Sequence, residues 1–306
     1  MPVAPRLTKS EFFEDLSLPL ELIRRNPQEP FPLHTHEFSE LVIVFSGRGV
    51  HFTESEEWTI EAGDVFVIRG ECAHGYRTIE ALSLVNILFD PMHLGVPESD
   101  LLAIPGYHAL VTVEPHYRKE HKFTSRLRLS REQLAQVALL SDALERETGA
   151  KQPGYRSMAA AYFMQILGYL SRCFTSAATP KHVSLLRLGE AIGHLERNIG
   201  RRVGIAELRA ITHMSESSLL RAFKKTVGLS PIGYHLRLKV RRACRLLESP
   251  DLPITEVAYL AGFSDSNYFS REFRKVTGMS PRAYRKGGAS GYAAAGARPP
   301  GSDSHG

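Results

Sequence analysis

Cysteine and tryptophan are scarce in this chain, and long apolar runs are missing. Its 306 residues include three cysteines, Cys72, Cys173 and Cys244, and a single tryptophan. The cysteines are scattered and form no CxxC pair. That argues against zinc fingers and a disulfide framework, and it suits a reducing compartment. No apolar run approaches the ~18 residues that a membrane-spanning helix needs. Met1 to Glu11 lacks the apolar core of a secretory leader. The expectation is a cytoplasmic protein with no membrane partner. A strong overall charge is also missing, since the net value is only +5. The charge is uneven, however. Lys181 to Lys286 hold 20 basic and 9 acidic residues, while the remainder holds 18 and 24. A basic C-terminal part joined to an acidic N-terminal part points to a nucleic-acid module attached to something else.

What is present is one pattern written twice. The first copy runs through Ile205-Ala-Glu-Leu208, Met214-Ser215, Arg221, Phe223, Lys225, Gly228, Pro231 and Tyr234. The second runs through Ile254-Thr-Glu-Val257, Phe263-Ser264, Arg271, Phe273, Lys275, Gly278, Pro281 and Tyr284, with one extra residue in its turn. Each copy reads as a short helix, a polar turn and a second helix. Gly262 offers the second turn its positive-φ freedom. Leu219 with Phe223, and Phe269 with Phe273, are spaced four apart and face inward. The opposite faces carry Ser217, Leu220, Arg221 and Lys224 in the first copy. In the second they carry Ser266, Asn267, Ser270, Arg271, Arg274 and Lys275. A polar, basic face on a short second helix suits a DNA major groove, where arginine pairs with guanine or phosphate. The alternative is a small helical bundle with a solvated basic face. Between the copies, Ser230-Pro231 starts a helix to about Leu247, with Leu236, Val240, Ala243 and Leu247 on one stripe and Arg237, Arg241 and Arg245 on another. A spacer of roughly 25 Å can hold two recognition helices about one DNA turn apart.

This region resembles the C-terminal DNA-binding domain of the AraC-type transcription regulators. The resemblance rests on Arg237-Leu238, Ala243, Leu246-Leu247, Ala258, Gly262-Phe263-Ser264, Tyr268-Phe269, Arg271, Phe273, Lys275, Gly278 and Ser280-Pro281. It implies a sequence-specific regulator of transcription that binds double-stranded DNA and works with RNA polymerase. The first copy departs at Arg209, where the family usually has alanine; a long side chain there must snorkel or pair.

Phe31 to Pro91 reads as β structure. Short runs at Leu41 to Phe45, Val50 to Thr53, Trp58 to Ile60, Val65 to Ile68 and Leu82 to Phe89 alternate with glycine turns, as in a barrel or jelly roll. Within it lie His34, His36, Glu40 and His74. Histidines at i and i+2 of a strand share a face. His34 and Glu40 would lie about 20 Å apart on a straight strand, so a bend near Glu37 to Ser39 is required before they converge. Three imidazoles and a carboxylate suit a divalent metal such as zinc, manganese, iron or nickel. They also suit the hydroxyls of a sugar, and a purely structural role stays open. The four residues, with Gly47 and Gly63, resemble the two cupin motifs. The match is incomplete, with Gln28 and Arg69 at positions where glycine and proline are expected. The run Thr35 to Val44, with Gly47, Gly49-Val50-His51 and Asn86-Ile87-Leu88, is similar to the L-rhamnose-responsive branch of the AraC-type regulators. That resemblance implies a sugar effector.

Ser130-Arg-Glu-Gln133 is a capping box opening one amphipathic helix, and a second spans about Tyr155 to Phe174. The pair resembles a dimerisation hairpin, giving a homodimer; a helical lid on its own barrel uses the same stripe. The expected architecture is α+β in two domains. A cupin-like effector-sensing barrel fills 1–125 and a hairpin 126–175. A linker spans 176–183, a tandem helix-turn-helix domain 184–286 and a disordered tail 287–306. The rival from another class is a metal-dependent cupin enzyme carrying a DNA-binding appendage. A fused repair methyltransferase is disfavoured, because none of the cysteines sits in an activating setting.

Overall fold

The computed structural model describes residues 4–70, 72–91, 100–118, 122–177 and 179–287. The chain divides into two compact units, 1–189 and 190–306. No helix among the described residues is long and apolar enough to cross a membrane.

The first unit is built on one sheet. Its strands are β1 (Arg6–Leu7), β2 (Leu20–Arg25), β3 (Phe31–His36), β4 (Ser39–Thr53), β5 (Glu57–Glu61), β6 (Asp64–Ile68), β7 (His74–Phe89) and β8 (Leu127–Arg128). Pairing runs β1-β3-β7-β4-β6-β8, with β2 added on β7 and β5 on β4. This path does not close into a ring among the described residues, so the barrel expected from the sequence is corrected to an open, cupin-like sheet. The reason is the length of β4 and β7. They pair with each other through several register shifts, and each divides its other edge between shorter strands. Glycines expected to end strands instead bend them. Gly47 has φ +70, and a Cβ there would meet the Ala81 carbonyl oxygen at 2.1 Å. A bulge with glycine at positive φ keeps the strand running through the kink.

Val42, Val44, Ile60, Phe66, Leu82, Leu84 and Phe123 fill the interior of the sheet. Three strands lie outside the stretch Phe31 to Pro91 expected to be β structure: β1, β2 and β8. β2 precedes that stretch, although buried Leu20 and Leu22 alternate with half-buried neighbours. β8 lies just beyond the expected 125/126 boundary, yet it joins the sheet because Leu127 pairs with Val65.

Short helices interrupt the strands: α1 (Lys9–Phe12) between β1 and β2, then α2 (Pro105–His108) and α3 (Glu114–Tyr117) between β7 and β8, joined by a π-helical turn Ala109–Val113. The hairpin is α4 (Arg131–Ala150) and α5 (Tyr155–Ser176). Ser130 caps α4 as expected: its hydroxyl accepts the Gln133 N–H at 3.2 Å, and the Gln133 side chain accepts the Ser130 N–H at 2.9 Å. The hairpin packs on its own sheet. Arg24 of β2 pairs with Asp142 at 2.6 Å and Glu145 at 2.7 Å, and Phe163 lies 5.1 Å from Phe89. Leu139 and Met158 remain exposed at 65% and 46%.

Helix α6 (Pro180–Arg197) occupies much of the expected linker at 176–183. Pro180 at its first position and the Thr179 hydroxyl, which accepts the His182 N–H at 3.3 Å, start the helix early. The boundary between units falls inside it, at 189/190. The second unit continues with α7 (Ile205–Thr212), α8 (Glu216–Val227), α9 (Pro231–Leu246), α10 (Ile254–Leu260), α11 (Ser266–Thr277) and α12 (Pro281–Gly287). The expected disordered tail lies outside the described residues from 288 onward.

Candidate functional site

In the second unit the two copies fold alike. Leu219 and Phe223 of α8, and Phe269 and Phe273 of α11, are fully buried. Around the second pair lie Val240, Ala243, Val257, Ala258, Phe263 and Tyr284, so the spacer helix α9 is a shared wall of that core. Each second helix has a side-chain cap. Ser215 accepts the Ser218 N–H, and Asp265 accepts the Tyr268 N–H. The residue before each turn is left-handed: His213 at φ +53 and Gly262 at φ +92. The extra residue of the second copy falls between Gly262 and its cap. Lys239 of α9 braces that turn, donating from Nζ to the Gly262 carbonyl at 2.6 Å.

On the outward faces, Ser217, Arg221, Lys224, Asn267, Arg271, Arg274 and Lys275 are exposed, while Leu220, Ser266 and Ser270 are half-buried. The Ser270 hydroxyl donates to the Ser266 carbonyl at 2.9 Å, which leaves it as an acceptor outward. The Arg271 side chain is 72% exposed and lies 5.2 Å from the centre of the Tyr268 ring. Tyr268, itself exposed, is an outward residue the periodicity did not single out. Arg209 pairs rather than buries, with Nη1 4.0 Å from Glu216 at the start of α8. Its counterpart Ala258 is fully buried.

The sensor residues come together in the first unit. The chain bends at Glu37-Phe38 between β3 and β4, as their convergence required. His34 stands opposite His74 across β3 and β7, their rings 4.2 Å apart. Ligand atoms of His34, Glu40 and His74 all lie within 4.8 Å of one another. The Glu40 carboxylate is 3.5 Å from Nε2 of His36 and 3.5 Å from Nε2 of His74. Each histidine is oriented by a backbone carbonyl near Nδ1: Pro32 at 3.0 Å for His34, Phe38 at 2.6 Å for His36 and Cys72 at 3.1 Å for His74. A carbonyl only accepts, so each Nδ1 carries the proton.

A pocket of about 70 Å³, open to solvent, is lined by Arg25, Gln28, His34, His36, Glu40, Tyr76 and Asn86 on its polar side. Phe12, Ile23, Phe38 and Leu88 form an apolar wall. Several buried polar atoms here have no protein partner: His36 Nε2, Glu40 Oε1, His74 Nε2, Tyr76 Oη, Asn86 Oδ1 and both ring nitrogens of His51. Burial pushes His34 down to about 4, helped by the charge of His74. It holds His51 far below the usual imidazole range and Tyr76 above the usual phenol range. Burial alone would raise Glu40, but the imidazoles of His36 and His74 outweigh it and hold the carboxyl well below the usual range. Sequence reasoning missed Tyr76, Asn86 and His51 as site residues. Tyr76 was within reach, since it lies two residues from His74 and so shares its face. The apolar wall, from β2 and α1, carried no such signal.

Two family models match, an AraC-like ligand binding domain over residues 18–167 and a helix-turn-helix domain over 208–287. The HTH-type transcriptional activator RhaR of Escherichia coli (strain K12) is 31% identical over 281 residues, covering 92% of this chain and 96% of that protein. This chain belongs to the AraC-type transcription regulators. RhaR of Mannheimia succiniciproducens is 30% identical over the same span. A solved transcriptional regulator with an AraC-type DNA-binding domain, from Chromobacterium violaceum, is 30% identical over 34% of this chain and 93% of that chain, with a TM-score of 0.32. The AraC-type chain is therefore a DNA-binding transcription regulator with a ligand-binding domain. Regulators of this family are not enzymes, and the cupin-enzyme alternative falls.

Proposed function

We propose that this AraC-type regulator activates transcription in response to a sugar bound in the pocket of its first unit. The carrying observation is the set of buried polar atoms without protein partners around Glu40. Leaving such a group unpaired costs about 1–3 kcal/mol, so a site with several of them is built for a polar ligand. Imidazole both donates and accepts and carboxylate accepts, which suits adjacent hydroxyls. The apolar wall suits the carbon face of a pyranose or a deoxy methyl group. The likeness to RhaR and the run around Thr35 to Val44 support L-rhamnose as the first sugar to try. On the DNA side, Ser217, Leu220, Arg221 and Lys224 of α8 face one groove segment. Ser266, Asn267, Ser270, Arg271, Arg274 and Lys275 of α11 face the next.

In the same reading the chain is a cytoplasmic homodimer that works with RNA polymerase. Exposed Leu139 and Met158 on the hairpin support the self-association. The effector acts only if it favours one of two arrangements of the protein, since equal affinity for both would shift nothing.

Thermal-shift titration of the full chain against a panel of neutral sugars tests the pocket. A stabilising sugar is expected for wild type and lost in Glu40→Gln, with DNA affinity in the absence of sugar unchanged. A Glu40→Gln protein that responds as wild type does would move the effector to another surface.

A further inference from the structure

We propose that Tyr268 is a positioning residue for base readout, its ring holding the Arg271 guanidinium in the orientation that α11 offers to DNA. The inference deepens the reading above that α11 faces a groove, and it rests on that reading. It adds a difference between the two copies that their shared pattern hides.

Tyr268 and Arg271 stand three apart on α11 and share its outward face. Arg271 Cζ lies over the Tyr268 ring, 5.2 Å from its centre, and the arginine side chain is 72% exposed. A cation held on an aromatic face is attracted by the ring and spends no N–H donor on the contact. The Nε edge faces Glu272 Oε1 at 3.6 Å, so the Nη end is left for a base. Guanine takes arginine in a bidentate manner through O6 and N7. The tyrosine is itself held. Its backbone N–H is accepted by the Asp265 cap, and its ring lies 6.1 Å from that of buried Phe263. Lys239 of the spacer helix α9 stands over the Phe263 ring at 5.9 Å while it donates to the Gly262 carbonyl. A continuous series of contacts therefore runs from α9, through the turn, to the arginine.

The first copy has the matching arginine without this support. The counterpart of Tyr268 is Ser218, whose hydroxyl accepts from Ser215 Oγ at 2.8 Å. Among the described residues, no ring or carboxylate holds Arg221. Fixing an unbraced arginine on a base costs rotamer freedom that a braced one has already lost. The base pair read through Arg271 should therefore be discriminated more steeply than the one read through Arg221.

The test uses the full chain and the duplex it selects from a random pool, with affinity measured for every base pair at each position. Tyr268→Leu should bind that duplex roughly 2- to 5-fold more weakly, the scale of an exposed cation–π contact. Tyr268→Phe should retain the binding that Tyr268→Leu loses. The loss should fall at the base pair where Arg271→Ala flattens preference. It should disappear when Tyr268→Leu is made in the Arg271→Ala background. A loss in Tyr268→Phe as deep as in Tyr268→Leu would overturn the proposal in favour of a hydroxyl contact to phosphate. Equal loss in both arginine backgrounds would overturn it in favour of packing on Phe263. Equal discrimination at the two arginine-read base pairs would overturn the difference between the copies. If Arg271→Ala changes neither affinity nor preference, the groove reading of α11 fails and this proposal fails with it. If Arg271→Ala flattens one base pair while Tyr268→Leu binds as wild type does, the groove reading stands and the brace alone is refuted.

Discussion

Replacing Gly262 with alanine tests how the second helix-turn-helix is held. Gly262 sits at φ +92, and a Cβ there would lie 2.3 Å from the Ile199 carbonyl oxygen and 3.1 Å from the Gly200 Cα. Left-handed backbone costs a non-glycine residue about 1–2 kcal/mol. Both contacts are backbone and cannot rotate away, so relief requires the chain to move, at a further ~1–3 kcal/mol. The sum is about 2–5 kcal/mol, a large part of a typical domain's stability. His213 occupies the equivalent turn at φ +53 and already bears the left-handed strain. His213→Gly should therefore stabilise the first copy by about 0.5–1 kcal/mol, the strain relieved less the backbone entropy of glycine. Urea unfolding of the full chain can separate the units. Trp58, the only tryptophan, reports the sheet by fluorescence, while far-UV dichroism reports mainly helices. Gly262→Ala should lower the helical midpoint and leave the Trp58 midpoint in place. It should also weaken binding to a duplex selected by the wild type, because α11 follows that turn. Unchanged helical midpoint and DNA affinity would refute the argument from the Ile199 contact.

Three further outcomes are expected. Arg221→Ala and Arg271→Ala should each cost about 1–3 kcal/mol at a selected duplex and relax preference at one base; uniform weakening on all sequences would make the side chain a phosphate contact. Leu139→Glu with Met158→Glu should dissociate a dimer in sedimentation at micromolar concentration, and a wild-type monomer at tens of micromolar would leave the hairpin as a lid. Native protein at pH 8 should react with a thiol reagent at exposed Cys72 alone. Burial pushes the Cys244 thiol up to about 11 and raises Cys173 as well, so both stay protonated until unfolding; rapid native labelling at three thiols would contradict the packing of α5 and α9.

The DNA-binding unit was legible because its information is local. Helical spacing placed Leu219, Phe223, Phe269 and Phe273 inside, and Ser230-Pro231 marked the start of α9. Even the departure at Arg209 was readable as a side chain that must snorkel or pair, although which of the two, and the partner Glu216, could not be named. The sheet was less legible, because its information lies between strands. Gly47 and Gly49 look like strand ends in one dimension. Whether a glycine ends a strand or bends it depends on the partner, here the Ala81 backbone pressed against Gly47. β2 was missed for a similar reason: its alternation is short, and it becomes a strand by pairing with β7, about sixty residues downstream.

The pocket shows where sequence reading stops. His34, His36, Glu40 and His74 were named from residue type and spacing, and period 2 gave His34 and His36 equal standing. What separates them is the bend at Glu37-Phe38. It folds the Phe38 carbonyl back to the Nδ1 of His36 and lays the Phe38 ring against the imidazole. His34, two residues earlier, stands instead opposite His74 on the neighbouring strand. One histidine is thus tied to the corner that aims Glu40, and the other faces a partner across the sheet. Straightening that corner is therefore expected to disturb Glu40 before it disturbs the His34–His74 pair. Phe38→Ala, which removes the stacked ring but keeps the carbonyl, should weaken ligand binding at Glu40 while the two strands stay in register. Loss of the β3–β7 pairing in that variant, seen as fast amide exchange at His34, would mean that the corner supports the sheet rather than the site.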